Sequence, residues 1–192
     1  MLNYGEEIVY WYLRFNGFFI IDNFVLHSSP TGTERTSDSD LLAIRLPYVY
    51  EEVGGQTNDW DDHNIFKNLD INKRIAVICE VKTGGFDANR IYRRRHLEKA
   101  IARFGISPNY MDYVSQIENN PVTQIEDFLV AKILFSREQE SPRQDCLHIR
   151  LDEVSKFIKK RLRKFNNRKY NDRMFFPSSL IQYMAWEEQK NL

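Results

Sequence analysis

Apolar and polar positions recur along this chain with two different periods, and the switches between them mark its elements. Residues 4–16 carry helical spacing: Glu6, Val9, Tyr10 and Leu13 fall at i, i+3, i+4 and i+7 on one face, and Gly17 stands where a left-handed cap would end the helix. Phe18 to Leu26 is rich in aromatic and β-branched residues and reads as a strand. A polar, turn-rich stretch from His27 to Asp38 leads to a second strand, Asp40 to Leu46, which Pro47 stops. Residues 48–73 form a long acidic excursion containing Gly54, Gly55, Asp59, Asp61 and Asp62. Ile75 to Val81 is an almost unbroken apolar run of strand length, as expected for a strand buried on both faces, and Thr83-Gly84-Gly85 closes it.

The second half continues in the same manner. Asn89 to Phe104 reads as a basic helix ended by Gly105, and Phe128 to Phe135 and Leu147 to Leu151 as two further strands. Asp152 caps a helix running through Phe165, with Val154, Phe157, Ile158, Leu162 and Phe165 as its apolar stripe. Pro177 to about residue 189 reads as a terminal helix. The order helix, three strands, helix, two strands, helix predicts an α/β fold with a mixed central sheet flanked by helices. Residues 1–151 would form the core, and 152–192 a basic helical extension packed on it.

Composition narrows the function classes. With 42% hydrophobic and 28% charged residues over 192 positions, the chain can bury a real core. No apolar run approaches the ~18 residues of a membrane span, and no signal-peptide pattern opens the chain, so a soluble cytoplasmic protein is expected. Cys79 and Cys146 are the only cysteines, which excludes a disulfide framework and a four-cysteine zinc site. His27, His63, His96 and His148 show no zinc-ligand spacing. Neither a P-loop nor a Gly-x-Ser-x-Gly elbow is present. The zero net charge conceals a division: residues 1–88 carry 7 Lys/Arg against 14 Asp/Glu, and residues 89–192 carry 20 against 13. An acidic first half and a basic second half suggest a cation site beside a polyanion surface.

The candidate chemistry lies at the end of the buried strand. Glu80 and Lys82 are two residues apart, so a strand turns both side chains to one face. A carboxylate and an ammonium there are costly to bury unless paired or functional. Asp40, at the start of the preceding strand, is placed to come beside Glu80. Two carboxylates with water and a phosphate oxygen make an all-oxygen site suited to Mg²⁺ or Mn²⁺. Lys82 would orient or help deprotonate the attacking water and offset charge in the transition state.

Residues Ser37-Asp38-Ser39-Asp40-Leu41-Leu42-Ala43, followed by Cys79-Glu80-Val81-Lys82-Thr83, resemble the PD-(D/E)xK nuclease superfamily. That superfamily includes restriction endonucleases, archaeal Holliday-junction resolvases and RecB-type nuclease domains. The opening Gly5-Glu6-Glu7, with Leu13 and Gly17-Phe18, resembles the start of resolvase-like members, and the likeness covers roughly residues 5–150. No proline precedes Asp40, and the stretch from Asp40 to Glu80 is longer than a compact hairpin. The resemblance implies a restriction-endonuclease-like core. It also implies Asp40 and Glu80 as metal ligands, Lys82 as a catalytic residue, the Val81 backbone carbonyl as a further ligand, and Glu6 as the carboxylate contributed by the first helix.

Two basic clusters point to the partner. Arg90, Arg93 and Arg94 share a helical face in the 89–104 segment and suit a phosphate-contacting ridge. Lys159, Lys160 and Lys164 belong to a cluster mostly opposite the apolar stripe of the 152–165 helix, where nucleic acid, a protein partner or plain solvation are all open. The expected function is a divalent-metal-dependent nuclease hydrolysing phosphodiester bonds in DNA. The alternatives are a non-catalytic nucleic-acid-binding or assembly module of the same fold, and a nuclease subunit of a larger defence or repair complex. Cutting both strands with one site per chain would favour a homodimer.

Overall fold

A computed structural model of the chain describes residues 3–24, 39–49, 62–137, 143–164 and 177–190. Helix α1 (Tyr4–Phe15) starts where the Asn3 side chain accepts from the N–H groups of Gly5 and Glu6, while Glu6 accepts from the Asn3 N–H at 3.1 Å. This capping box satisfies donors that a helix start otherwise leaves open. Gly17, at φ 80°, then turns the chain into β1 (Phe19–Phe24). Strand β2 (Ser39–Arg45) pairs antiparallel with β1 and with β3 (Arg74–Lys82), and the short α2 (His63–Phe66) lies between β2 and β3 in the chain.

After β3 the chain crosses over through α3 (Arg94–Phe104) and α4 (Val114–Asn119) to β4 (Val122–Ile125). A two-residue turn with Glu126 at φ 51° leads to β5 (Phe128–Ser136). β5 runs parallel to β3 along its whole length. Its other edge is shared by β4, antiparallel over the first half, and β6 (Leu147–Arg150), parallel over the second. Among the described residues the sheet has six strands in the order β1-β2-β3-β5-β4, with β6 beside β5. Helices α5 (Leu151–Lys164) and α6 (Ser179–Lys190) complete the described chain. The fold is α/β, with a mixed open sheet flanked by helices.

Two cores follow from the period of two in β3. Ile75, Val77, Cys79 and Val81 face Val9, Leu13, Val154, Ile158, Leu162 and Ile181, so α1, α5 and α6 form one layer. Ala76 and Ile78 face Leu97, Ala100, Ile101, Val114 and Ile117, so α3 and α4 form the other. Helix α5 thus completes the same core as α1, and α6 packs beside both. Among the described residues, no helix is long and apolar enough to cross a membrane.

The structure revises several sequence expectations. The basic segment 89–104 is not one helix: a 3₁₀ turn at Ala88–Arg90 is separated from α3 by Ile91 and by Tyr92 at φ 53°. The Tyr92 ring is buried and its hydroxyl donates to the Ile78 carbonyl at 3.2 Å, which holds this residue in the left-handed region despite its cost. A sixth strand, β4, is added by the hairpin turn. Of the acidic excursion, residues 62–73 are pinned inward: the buried Arg45 donates to the carbonyls of Asn16 and Ile71, and Tyr12 donates to Asp62 at 2.7 Å. The turn region 27–38, residues 50–61, and Phe165, Arg168, Lys169 and Arg173 fall outside the described residues.

The start of α1 is set hard against the end of β3. A Cβ placed on Gly5 would run into Thr83 Cγ2 and approach Val81 Cγ1 to 3.3 Å. Gly5→Ala should therefore destabilise the protein by about 1–3 kcal/mol in urea unfolding, as overpacking does, although alanine is the better helix former. Equal or higher stability of the variant would contradict this packing.

Candidate active site

Asp40, Glu80 and Lys82 come together because of register. β2 and β3 pair with Leu41 opposite Cys79, which continues to set Asp40 opposite Glu80. The even-numbered face of β3 carries Ala76 and Ile78 under α3 and then emerges as Glu80 and Lys82. Asp40 Oδ2 accepts from the Val81 backbone N–H at 2.6 Å and from Lys82 Nζ at 3.1 Å. Lys82 Nζ also donates to Glu80 Oε2 at 2.7 Å. One ammonium therefore bridges two carboxylates. Glu80 is the most enclosed of the three, its side chain 6% exposed against 18% for Asp40 and 25% for Lys82.

The electrostatics follow from that enclosure. Burial pushes the Glu80 carboxyl up to about 7; Lys82 opposes the shift and the like charge of Asp40 adds to it. For Lys82, burial works against the ammonium, but Glu80 and Asp40 outweigh it and raise its pKa. The Cys79 thiol points into the other core and is held far above its usual range, by burial first and then by Asp40 and Glu80. It is an inert filler.

Beside the cluster opens a pocket of about 380 Å³. Glu80 and Lys82 line one part, Arg90 and Arg93 another, and Phe86, Asp87 and Ile91 the remainder. Arg90 pairs with Asp87 at 3.2 Å, and Arg93 stands at the N-cap position of α3, where its side chain makes no capping bond. The split of the 89–104 segment corrects the expectation of a common ridge: Arg94 turns away, donating to Ser115 at 3.0 Å and pairing with Glu98 and Glu118. Arg90 and Arg93 are brought to the pocket, and Arg94 is spent bracing α3 on α4.

Most of the remaining expected site residues have other partners in the fold. The Glu6 carboxylate is engaged by Asn3 in the capping box, and Glu7 accepts from Ser178 at 2.7 Å. Val81 enters through its N–H, which holds Asp40. Lys159 pairs with Glu187 at 3.3 Å, and Arg163 with Glu188 at 2.7 Å, across the α5–α6 contact. Lys160 and Lys164 are exposed on the same helix, on the α1 side of the sheet, whereas the pocket opens on the α3 side.

Phe86, Asp87 and Ile91 were not singled out by sequence reasoning, nor was a pair on the neighbouring strands. Ser136 lies opposite Lys82 on β5, and its hydroxyl is 2.7 Å from His148 Nε2 on β6. The signal available for Ser136 was the arrival of a hydroxyl at the end of an apolar run with period two.

The donor set fits a hard divalent cation in its chemistry. Asp40 and Glu80 offer oxygens only, and no described residue donates to Asp40 Oδ1 or Glu80 Oε1. A third His, Cys, Asp or Glu does not join them among the described residues. No protein-family model, curated protein or solved structure matches the chain.

Glu80 gives the metal-free protein a signature in pH. Its folded pKa of about 7 exceeds its ordinary value of 4.5, so between these the folded state binds more protons and stability falls as pH rises. With chelator present, wild-type unfolding free energy should drop across that window by on the order of 3 kcal/mol. Glu80→Gln should flatten the profile. Parallel profiles for the two proteins would show that Glu80 does not carry the shift.

Proposed function

We propose that this chain is a divalent-metal-dependent nuclease that hydrolyses phosphodiester bonds in DNA, built on a restriction-endonuclease-like core of the PD-(D/E)xK type. The observation that carries the reading is the meeting of Asp40, Glu80 and Lys82, from two strands, beside a pocket that Glu80 and Lys82 line together with Arg90 and Arg93. A folded protein has little structural reason to bury two carboxylates against one lysine beside an open pocket.

In this reading Asp40 and Glu80 supply carboxylate ligands for Mg²⁺ or Mn²⁺. The bound ion would lower the pKa of a water and polarise the phosphoryl oxygen. Lys82 orients the attacking water and offsets the negative charge that grows on the phosphoryl oxygens as the ester bond breaks. Arg90 and Arg93 hold the flanking phosphates, as forked guanidinium groups do well. Each chain offers one such site, so a double-strand break calls for two copies, or for a nuclease subunit within a larger defence or repair assembly.

A non-catalytic nucleic-acid-binding module is the second reading, favoured by one observation: Lys82 alone already satisfies an oxygen of each carboxylate. Cleavage of single-stranded, duplex and branched DNA with Mg²⁺ or Mn²⁺ separates the two. Asp40→Asn, Glu80→Gln and Lys82→Ala should each lower turnover by about 10²-fold or more. The first two should also lose Mn²⁺ affinity, and Lys82→Ala should retain it, since an ammonium donates no ligand. Wild-type protein that binds DNA but cuts none of these substrates would favour the module.

A further inference from the structure

We infer that the pocket beside Asp40, Glu80 and Lys82 receives a single unpaired nucleotide, its base stacked on Phe86, so that the preferred ligand is single-stranded DNA and not intact duplex. The inference rests on the nuclease reading for the identity of the polymer, and goes beyond it in the class of substrate.

The pocket has two chemically distinct sides. Lys82, Arg90 and Arg93 supply three positive charges against Glu80 and Asp87, which suits a phosphate carried on a cation, whereas Phe86 and Ile91 supply an apolar wall. At about 380 Å³ the space is near the lower end of small-ligand pockets, of the size of one nucleotide rather than a base pair. Phe86 packs against the rim of the second core and is only partly buried. An aromatic face has nothing to stack on in a duplex, where the grooves present base edges and the backbone lies outside. Unpaired bases offer their faces, and stacking on an aromatic ring is the usual sequence-tolerant way of holding them.

The approach to Phe86 carries a second, independent observation. Thr83, Gly84 and Gly85 link Lys82 to Phe86, yet neither glycine takes the left-handed backbone seen at Gly17 and Gly105. A Cβ on either would meet no atom of the described residues within 4 Å. Neither backbone conformation nor packing among the described residues asks for glycine there, and glycine carries an entropic cost. Two bare residues between the lysine and the ring instead leave room for a strand to lie against the backbone. On the far wall, left-handed Tyr92 separates Ile91 from Arg93, strain of the kind that concentrates at ligand sites.

The test compares single-stranded and duplex oligonucleotides of one sequence, carrying 2-aminopurine, with the full chain in chelator so that no cleavage occurs. Single strands should bind at least about tenfold tighter, and 2-aminopurine fluorescence should be quenched on binding. Phe86→Ala should weaken single-strand binding about tenfold, within the range stacking supports, and abolish the quench. Phe86→Trp should preserve both. Gly85→Ala should unfold at the same temperature as wild type or higher, yet bind single strands more weakly. Equal affinity for the two DNAs, with Phe86→Ala changing neither, would overturn the inference and leave the nuclease reading standing. A wild type that binds neither DNA, and cuts none when Mg²⁺ or Mn²⁺ is supplied, would overturn both.

Discussion

The period of two in β3 is the constraint on which the site depends. Because Ala76 and Ile78 must face the core under α3, Glu80 and Lys82 are committed to the same face two and four residues later. There the helical layer ends and the sheet continues. A carboxylate left at that boundary is dehydrated but not sealed, and its Lys82 partner does not fully offset the burial. Register with β2 adds Asp40, a second negative charge, where the first is already uncomfortable. Such an arrangement is poor as a structural ion pair, and the proposed cation site rests on that.

The surrounding architecture holds this boundary in place. Gly5 lets the start of α1 close against Val81 and Thr83, on either side of Lys82 in the chain. On the opposite face, Tyr92 reaches under β3 to the Ile78 carbonyl and so fixes where Arg90 and Arg93 leave the backbone. The buried Lys132 sits over the Tyr92 ring, 5.6 Å from its centre, and donates to the Glu118 carbonyl and to Asp145. Asp145 in turn pairs with Arg143, which donates to the Ala88 carbonyl. This chain of charge-assisted bonds ties the pocket wall to β5.

Much of the fold was legible because strong periodic signals carried it. The apolar run before Glu80 was long enough to announce a strand buried on both faces, and the stripe of Val154, Ile158 and Leu162 announced a helix packed on the sheet. Asp40 could be placed beside Glu80 since paired strands set their side chains opposite one another at a fixed spacing. β4 escaped because Val122–Ile125 spans only four residues, and its turn uses Glu126 in a conformation that carries no glycine signal. The same reason hid the break at Tyr92, and with it the divergence of Arg94 from Arg90 and Arg93. The basic face of α5 looked open in sequence because the acidic partners of Lys159 and Arg163 lie on α6, some 25 residues further on. Glu6 had helical phase in its favour, yet the helix start claims its carboxylate more directly.

The most direct measurement is a crystal structure of the protein with Mn²⁺, located by its anomalous scattering. An ion should lie ~2.1 Å from one oxygen each of Asp40 and Glu80, as a hard-cation carboxylate site requires, with Lys82 Nζ drawn away from Glu80 Oε2. Mn²⁺ bound elsewhere, with Lys82 still bridging both carboxylates, would contradict this placement.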